Sequence, residues 1–143
     1  RYLDLFEKSF IIYNLRGFSK NLRTEVTKKS KYFFYDNGIR NALIFNFNSI
    51  TSRDDVGKLW ENFLFVERLK KRSYDNLYAN AYFWRTWEKQ EIDYVEEREG
   101  KVFGYEFKWN DNIHVKEPTQ WKETYSNGSF DVISKDNYLD FVI

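Results

Sequence analysis

Apolar residues follow two rhythms along the chain: helical spacing over one long stretch, and short alternating runs on either side of it. Val56, Leu59, Trp60, Phe63 and Leu64 recur on one face of a predicted helix. Ser52 or Asp54 can cap its start, because a side-chain oxygen there accepts from the first-turn amides. Lys70, Lys71 and Arg72 suit the negative end of the helix dipole. Glu61, Phe65 and Arg68 form a neighbouring stripe, four and then three residues apart. Upstream, Tyr2, Leu3, Leu5 and Phe6 predict a short helix packed on one side. Phe10 to Tyr13 and Lys31 to Tyr35 predict two strands around a basic loop opened by Gly17. A turn at Asp36-Asn37-Gly38 and a helical patch through Ile39, Leu43 and Ile44 follow. Downstream, residues 80–86, 91–95 and 101–108 predict three strands, with a turn at Gly100. Residues 119–125 predict a helix, 131–134 a further strand, and 138–143 an apolar closing segment.

These elements predict an α+β fold in two parts. Helix, strand, basic loop, strand is the order of the second half of a winged helix, so residues 1–48 are expected to form a partial winged-helix segment. Residues 49–143 are expected to form an α/β domain with a mixed central sheet, with the polar stretch 46–52 as the boundary. Aromatic residues make up 21% of the chain, so rings are expected to build the core. Mean hydropathy is −0.74, and no apolar run approaches the ~20 residues of a membrane span. No membrane is therefore expected as a partner, and the chain reads as cytoplasmic. The absence of cysteine and the single histidine, His114, exclude thiolate zinc sites, cysteine nucleophiles and multi-histidine metal sites. The chain lacks methionine and begins at Arg1-Tyr2-Leu3, which reads as the middle of a helix in a longer protein.

Net charge is only +1, but its distribution is uneven. Arg16, Lys20, Arg23, Lys28 and Lys29, with Lys31, form a basic cluster relieved only by Glu25. The first five are candidate nucleic-acid contacts, weighed evenly against a solvated turn. Glu88, Glu91, Asp93, Glu96, Glu97 and Glu99 crowd around one predicted hairpin. Strand side chains alternate faces, so Glu106 and Lys108 share one face while Phe107 takes the other. Asp93, on the preceding strand, is expected beside Glu106, and Glu61 to enter from the long helix. Gly57 leaves backbone room one turn earlier, and Arg68 either balances Glu61 or reaches a phosphate. Oxygen ligands suit a hard cation, and a lysine beside them can orient water. The plainer alternatives are a Glu106–Lys108 ion pair on a solvated face, a packed Trp84 with Arg85 paired to an acidic residue, and Tyr32 to Tyr35 as core.

Trp60-Glu61-Asn62, Glu91-Ile92-Asp93 and Glu106-Phe107-Lys108 resemble the motifs of the PD-(D/E)XK nuclease superfamily, to which restriction enzymes belong. The resemblance implies a restriction-endonuclease-like domain. It implies magnesium, with manganese as an alternative, on Glu61, Asp93 and Glu106, and catalytic roles for Asp93, Glu106 and Lys108. With Tyr35-Asp36-Asn37-Gly38-Ile39-Arg40 and Trp84-Arg85-Thr86, nearly the whole chain is similar to a C-terminal domain of undefined function in prokaryotic AAA-class predicted ATPases. That implies an upstream ATPase module of the same polypeptide as partner, while the nuclease resemblance implies DNA as target. The chain has no Gly-rich phosphate loop with Lys and Ser/Thr, so ATP hydrolysis does not reside in it. Two functions follow: a magnesium-dependent nuclease, or a non-cleaving module that binds nucleic acid or protein for the ATPase.

Overall fold

The computed structural model describes residues 2–20, 25–26, 28–110 and 114–143, and its elements follow the two apolar rhythms. In chain order they begin with α1 (Tyr2–Lys8), β1 (Ile12–Gly17), β2 (Ser30–Phe34), α2 (Asn37–Leu43), a 3-10 turn (Ile50–Ser52) and α3 (Val56–Tyr74). There follow β3 (Asn80–Arg85), β4 (Glu91–Arg98), β5 (Lys101–Phe107), α4 (Thr119–Thr124), β6 (Ser129–Ile133) and α5 (Tyr138–Val142).

The strands form one mixed sheet in the order β2-β1-β3-β4-β5-β6. β3, β4 and β5 are an antiparallel meander, while β6 runs parallel to β5. Glu99 and Gly100 turn the chain between β4 and β5, both with positive φ, as a two-residue hairpin loop requires. The fold is α+β with a mixed sheet, as the pattern predicts. The β1–β2 hairpin, which the sequence order assigns to a separate N-terminal segment, is continuous with that sheet through parallel pairing of β1 with β3.

Helices cover both faces. α3 and α5 lie over a core that includes Leu15, Phe33, Phe65, Phe83, Tyr94, Phe107 and Phe141. α4 covers the other face, where Trp121 packs with Trp84, Ile92, Val95 and Val102. Its close approach depends on Gly104, where a Cβ would lie 3.1 Å from both Ile92 Cδ1 and a ring carbon of Trp121.

Several sequence expectations shift. α3 buries Trp60, Asn62, Leu64, Phe65, Val66 and Arg68, so the 61/65/68 stripe faces the sheet while Val56, Leu59 and Phe63 are only partly buried. The polar members are tolerated there because they have partners: Asn62 clasps the Phe34 amide and carbonyl at 2.8 and 2.7 Å. Neither Ser52 nor Asp54 caps α3. Asp55 holds that position, and its carboxylate is taken by Arg40 and Arg53 instead of the helix amides. A Cβ at Gly57 would meet open space, so nothing there demands a glycine. α1 buries none of its residues, contrary to the one-sided packing expected of it.

Candidate functional site

A bulge in β4 positions the central carboxylate. Tyr82 pairs with Val95 and Trp84 with Ile92, so the single Phe83 opposes both Asp93 and Tyr94. Ile92 and Val95 therefore both enter the α4-side core, while Tyr94 enters the α3-side core. Asp93 turns to the α3 side with it. Its Oδ2 accepts from the Phe107 amide at 3.0 Å, stitching β4 to β5 beyond their last ladder pair, Tyr94 with Tyr105. Along β5, Tyr105 and Phe107 enter the α3-side core and Gly104 faces Trp121, so alternation alone puts Glu106 on the far side from Asp93. The parity expected from the sequence thus does not explain their meeting. They line one cleft because both lie past the end of that ladder.

This cleft, of about 560 Å³, is lined by Glu61 from α3, Glu91 and Asp93 from β4, and Glu106 from β5. Lys108 Nζ donates to Glu106 Oε1 at 2.6 Å and faces a second cleft of about 810 Å³. The two clefts share Arg40, Lys58, Glu61 and Asp93. Burial pushes the Glu106 carboxyl up to about 7, the charge of Asp93 adding to the effect and Lys108 opposing it. Among the described residues, the buried Glu106 Oε2 has no hydrogen-bond partner. Glu61 is also raised, first by burial and then by Asp93. Burial would raise Glu91 too, but Lys31 and Arg85 hold it below its ordinary value.

The most heavily paired charge at the site is one that the motif reading misses. Lys31 of β2, separated from β4 by β1 and β3, reaches over the Phe83 ring into the cleft. Its Nζ lies 3.2 Å from Glu61 Oε1, 2.8 Å from Glu91 Oε1 and 3.2 Å from Asp93 Oδ1. Burial disfavours the ammonium, yet the three carboxylates hold its pKa above the ordinary lysine value. The sequence carried a signal for it: Lys31 and the buried Phe33 are two apart on one strand and so share the face toward α3. Among the described residues, no three Asp, Glu or His side chains stand in metal-holding geometry.

The basic loop behaves differently from a free turn. Arg16, Lys20, Lys28 and Lys29 are exposed and line neither cleft, and Arg23 lies outside the described residues. Glu25, buried, anchors the loop. Its Oε1 accepts from the Trp84 indole at 2.7 Å and the Tyr125 hydroxyl at 2.5 Å, and its Oε2 accepts from the Lys20 amide at 2.9 Å. Arg68 neither balances Glu61 nor reaches the cleft, because Glu96 takes it in a buried two-pronged contact at 2.7 and 2.9 Å. Arg85 pairs with Glu91 and Trp84 packs on Trp121, both as expected.

A profile described as a domain of unknown function, DUF4143, matches residues 56–137. The chain belongs to the DUF4143 family. A second profile, the domain of unknown function DUF8612, matches residues 1–51. No curated protein and no solved structure matches the chain. Glu61, Glu91, Asp93, Glu106 and Lys108 lie in the DUF4143 segment, while Lys31 and Arg40 come from the segment similar to DUF8612. The cleft beside the DUF4143 carboxylates is therefore completed by residues outside that family's match. Arg40 and Lys58, which sequence reasoning also missed, line both clefts; Arg40 is held by Asp55 at 2.7 Å, and Lys58 makes no ion pair among the described residues. No helix among the described residues is long and apolar enough to cross a membrane.

Proposed function

We propose that the chain is a restriction-endonuclease-like domain that hydrolyses DNA phosphodiesters with magnesium, in the service of an upstream AAA-class ATPase module. The observation that carries this reading is the opening of Glu61, Asp93 and Glu106 into one cleft, with Lys108 on Glu106. A long helix, an antiparallel meander, a second helix and a parallel strand supply the mixed α/β scaffold the reading requires. The winged-helix part of the expectation finds less support, because the β1–β2 hairpin completes the same sheet.

Glu61, Asp93 and Glu106 would hold the magnesium or manganese. The donor set is all oxygen, the chemistry a hard cation takes, and Glu106 Oε2 is a buried acceptor with no partner among the described residues, although the carboxylates as they stand around Lys31 are not in metal-holding geometry. When bound, such an ion supplies counter-charge to the phosphate and a more acidic water. The chain's own residues do the rest. Lys108, anchored on Glu106, presents its remaining N–H donors to a water or a phosphate oxygen. Arg40 and Lys58, shared by both clefts, would pair with backbone phosphates on either side of the carboxylates.

The test incubates plasmid, linear and branched DNA with the protein and Mg²⁺ or Mn²⁺. Asp93→Ala and Lys108→Ala are each expected to lower cleavage at least about 100-fold. Cleavage that persists in both variants overturns the reading. A second reading, a non-cleaving binding module, is favoured by the Lys31 ammonium already seated among three carboxylates. Salt-sensitive DNA retention without cleavage would select it.

A further inference from the structure

We propose that Lys31 is a tethered cation that keeps the carboxylate cleft closed to divalent metal, and that metal enters only by displacing its ammonium. The inference rests on reading Glu61 and Asp93 as metal-directed residues, as above.

Its basis is how completely the ammonium is used. A lysine has three N–H donors, and Lys31 Nζ has three carboxylate oxygens at 2.8 to 3.2 Å, from Glu61 on α3 and from Glu91 and Asp93 on β4. No donor remains for a phosphate, so in this arrangement Lys31 is a counter-ion and not a substrate contact. Ammonium spacing also differs from metal spacing. Magnesium draws oxygens to about 2.1 Å, well inside the distances at which Lys31 holds these carboxylates. That accounts for the lack of metal-holding geometry among the described residues despite four neighbouring carboxylates. The same seat cannot serve both cations.

The stem of Lys31 permits exchange. Its backbone is fixed, because β2 pairs with β1 and Asn62 clasps Phe34 three residues on. The side chain itself retains 22% exposure at the wall of an open cleft. A rotation about its four-carbon stem would carry the ammonium away from the three carboxylates toward solvent without moving a strand. Glu106 Oε2, buried and without a hydrogen-bond partner among the described residues, is then available to complete an oxygen set with Glu61 and Asp93. The segment carrying Lys31 lies outside the DUF4143 match, so control of the site would come from a different part of the chain than the carboxylates.

The experiment titrates Mn²⁺ into wild type and Lys31→Met, following bound metal by electron paramagnetic resonance and unfolding by thermal scan. Lys31→Met is expected to bind Mn²⁺ at least about tenfold more tightly and to show the larger Mn²⁺-dependent rise in Tm. Adding Asp93→Asn to Lys31→Met is expected to remove both gains. If Lys31→Met does not fold without metal, Lys31→Met/Glu91→Gln removes one charge of each sign and is measured in its place. Equal affinity with and without Lys31, or no binding at millimolar Mn²⁺ once Lys31 is removed, overturns the proposal. The hydrolase reading is judged separately on the same proteins. Asp93-dependent DNA cleavage with unchanged metal affinity sinks only the tethered cation, whereas tighter metal binding without any cleavage sinks only the hydrolase.

Discussion

At the scale of single residues, Glu106 turns its surroundings into a measurable pH dependence. Burial, reinforced by Asp93, lifts its pKa from an ordinary 4.5 to about 7, so the folded chain binds this proton more tightly than the unfolded chain does. Stability from that proton is complete below about pH 4.5 and is lost as pH rises through 7. Glu106→Gln is always neutral and still offers Lys108 an acceptor. In metal-free buffer it is expected to exceed wild type by about 3 kcal/mol at pH 8, the gap closing by pH 4. Urea unfolding across that range measures it, and a gap that does not change with pH would show that the Glu106 proton is not its source.

Among elements, the decisive contact is the one that fastens α3 to the sheet and to α5. Arg68 grips both oxygens of Glu96, which is fully buried, and donates to the Phe141 carbonyl at 2.8 Å. Arg68→Met takes the two-pronged partner from a buried carboxylate, leaving it Arg98 and the Tyr94 hydroxyl, and is expected to cost about 3 kcal/mol. Arg68→Met with Glu96→Leu is expected to recover part of that loss, because no buried carboxylate remains, while the Tyr94 hydroxyl and Arg98 each lose an acceptor; a double-mutant cycle in denaturant reads the coupling. If the double variant is as unstable as the single one, packing rather than charge is at fault. This pair also marks where the sequence ceases to be readable. Helix and strand order follow from periodicity, a local property, and Glu61, Asp93, Glu106 and Lys108 stand in short motifs within such elements. The partners of polar residues are not local: Arg68 meets Glu96 across 28 residues, and Glu25 meets Trp84 and Tyr125 across 59 and 100. No spacing rule joins them. Nor does alternation reveal the extra residue at Asp93–Tyr94, which depends on how β3 pairs with β4.

For the whole molecule, the question is whether the DUF4143 segment is a folding unit, since its match begins at residue 56 while the sheet begins at residue 12. Ile12, Leu15 and Phe33 are each at most 5% exposed, and Phe33 stacks on Phe65 with ring centroids 4.1 Å apart. Burying side chains of this size contributes about 2 kcal/mol each, so the hairpin supplies about 6 kcal/mol of apolar burial. Small domains have only about 5–15 kcal/mol in total. Removing the hairpin also strips Lys31 from three carboxylates and uncovers one edge of β3. A fragment of residues 49–143 is therefore expected to lose the cooperative unfolding transition and the near-ultraviolet circular dichroism of the full chain, and to bind a hydrophobic dye. The acid-rich cleft sharpens this expectation: without Lys31, lowering the pH to protonate Glu61 and Glu106 should relieve repulsion and return some structure to the fragment. A fragment that unfolds sharply at pH 7, with the aromatic signal of the full chain, would show that β3 to β6 close a core without the hairpin.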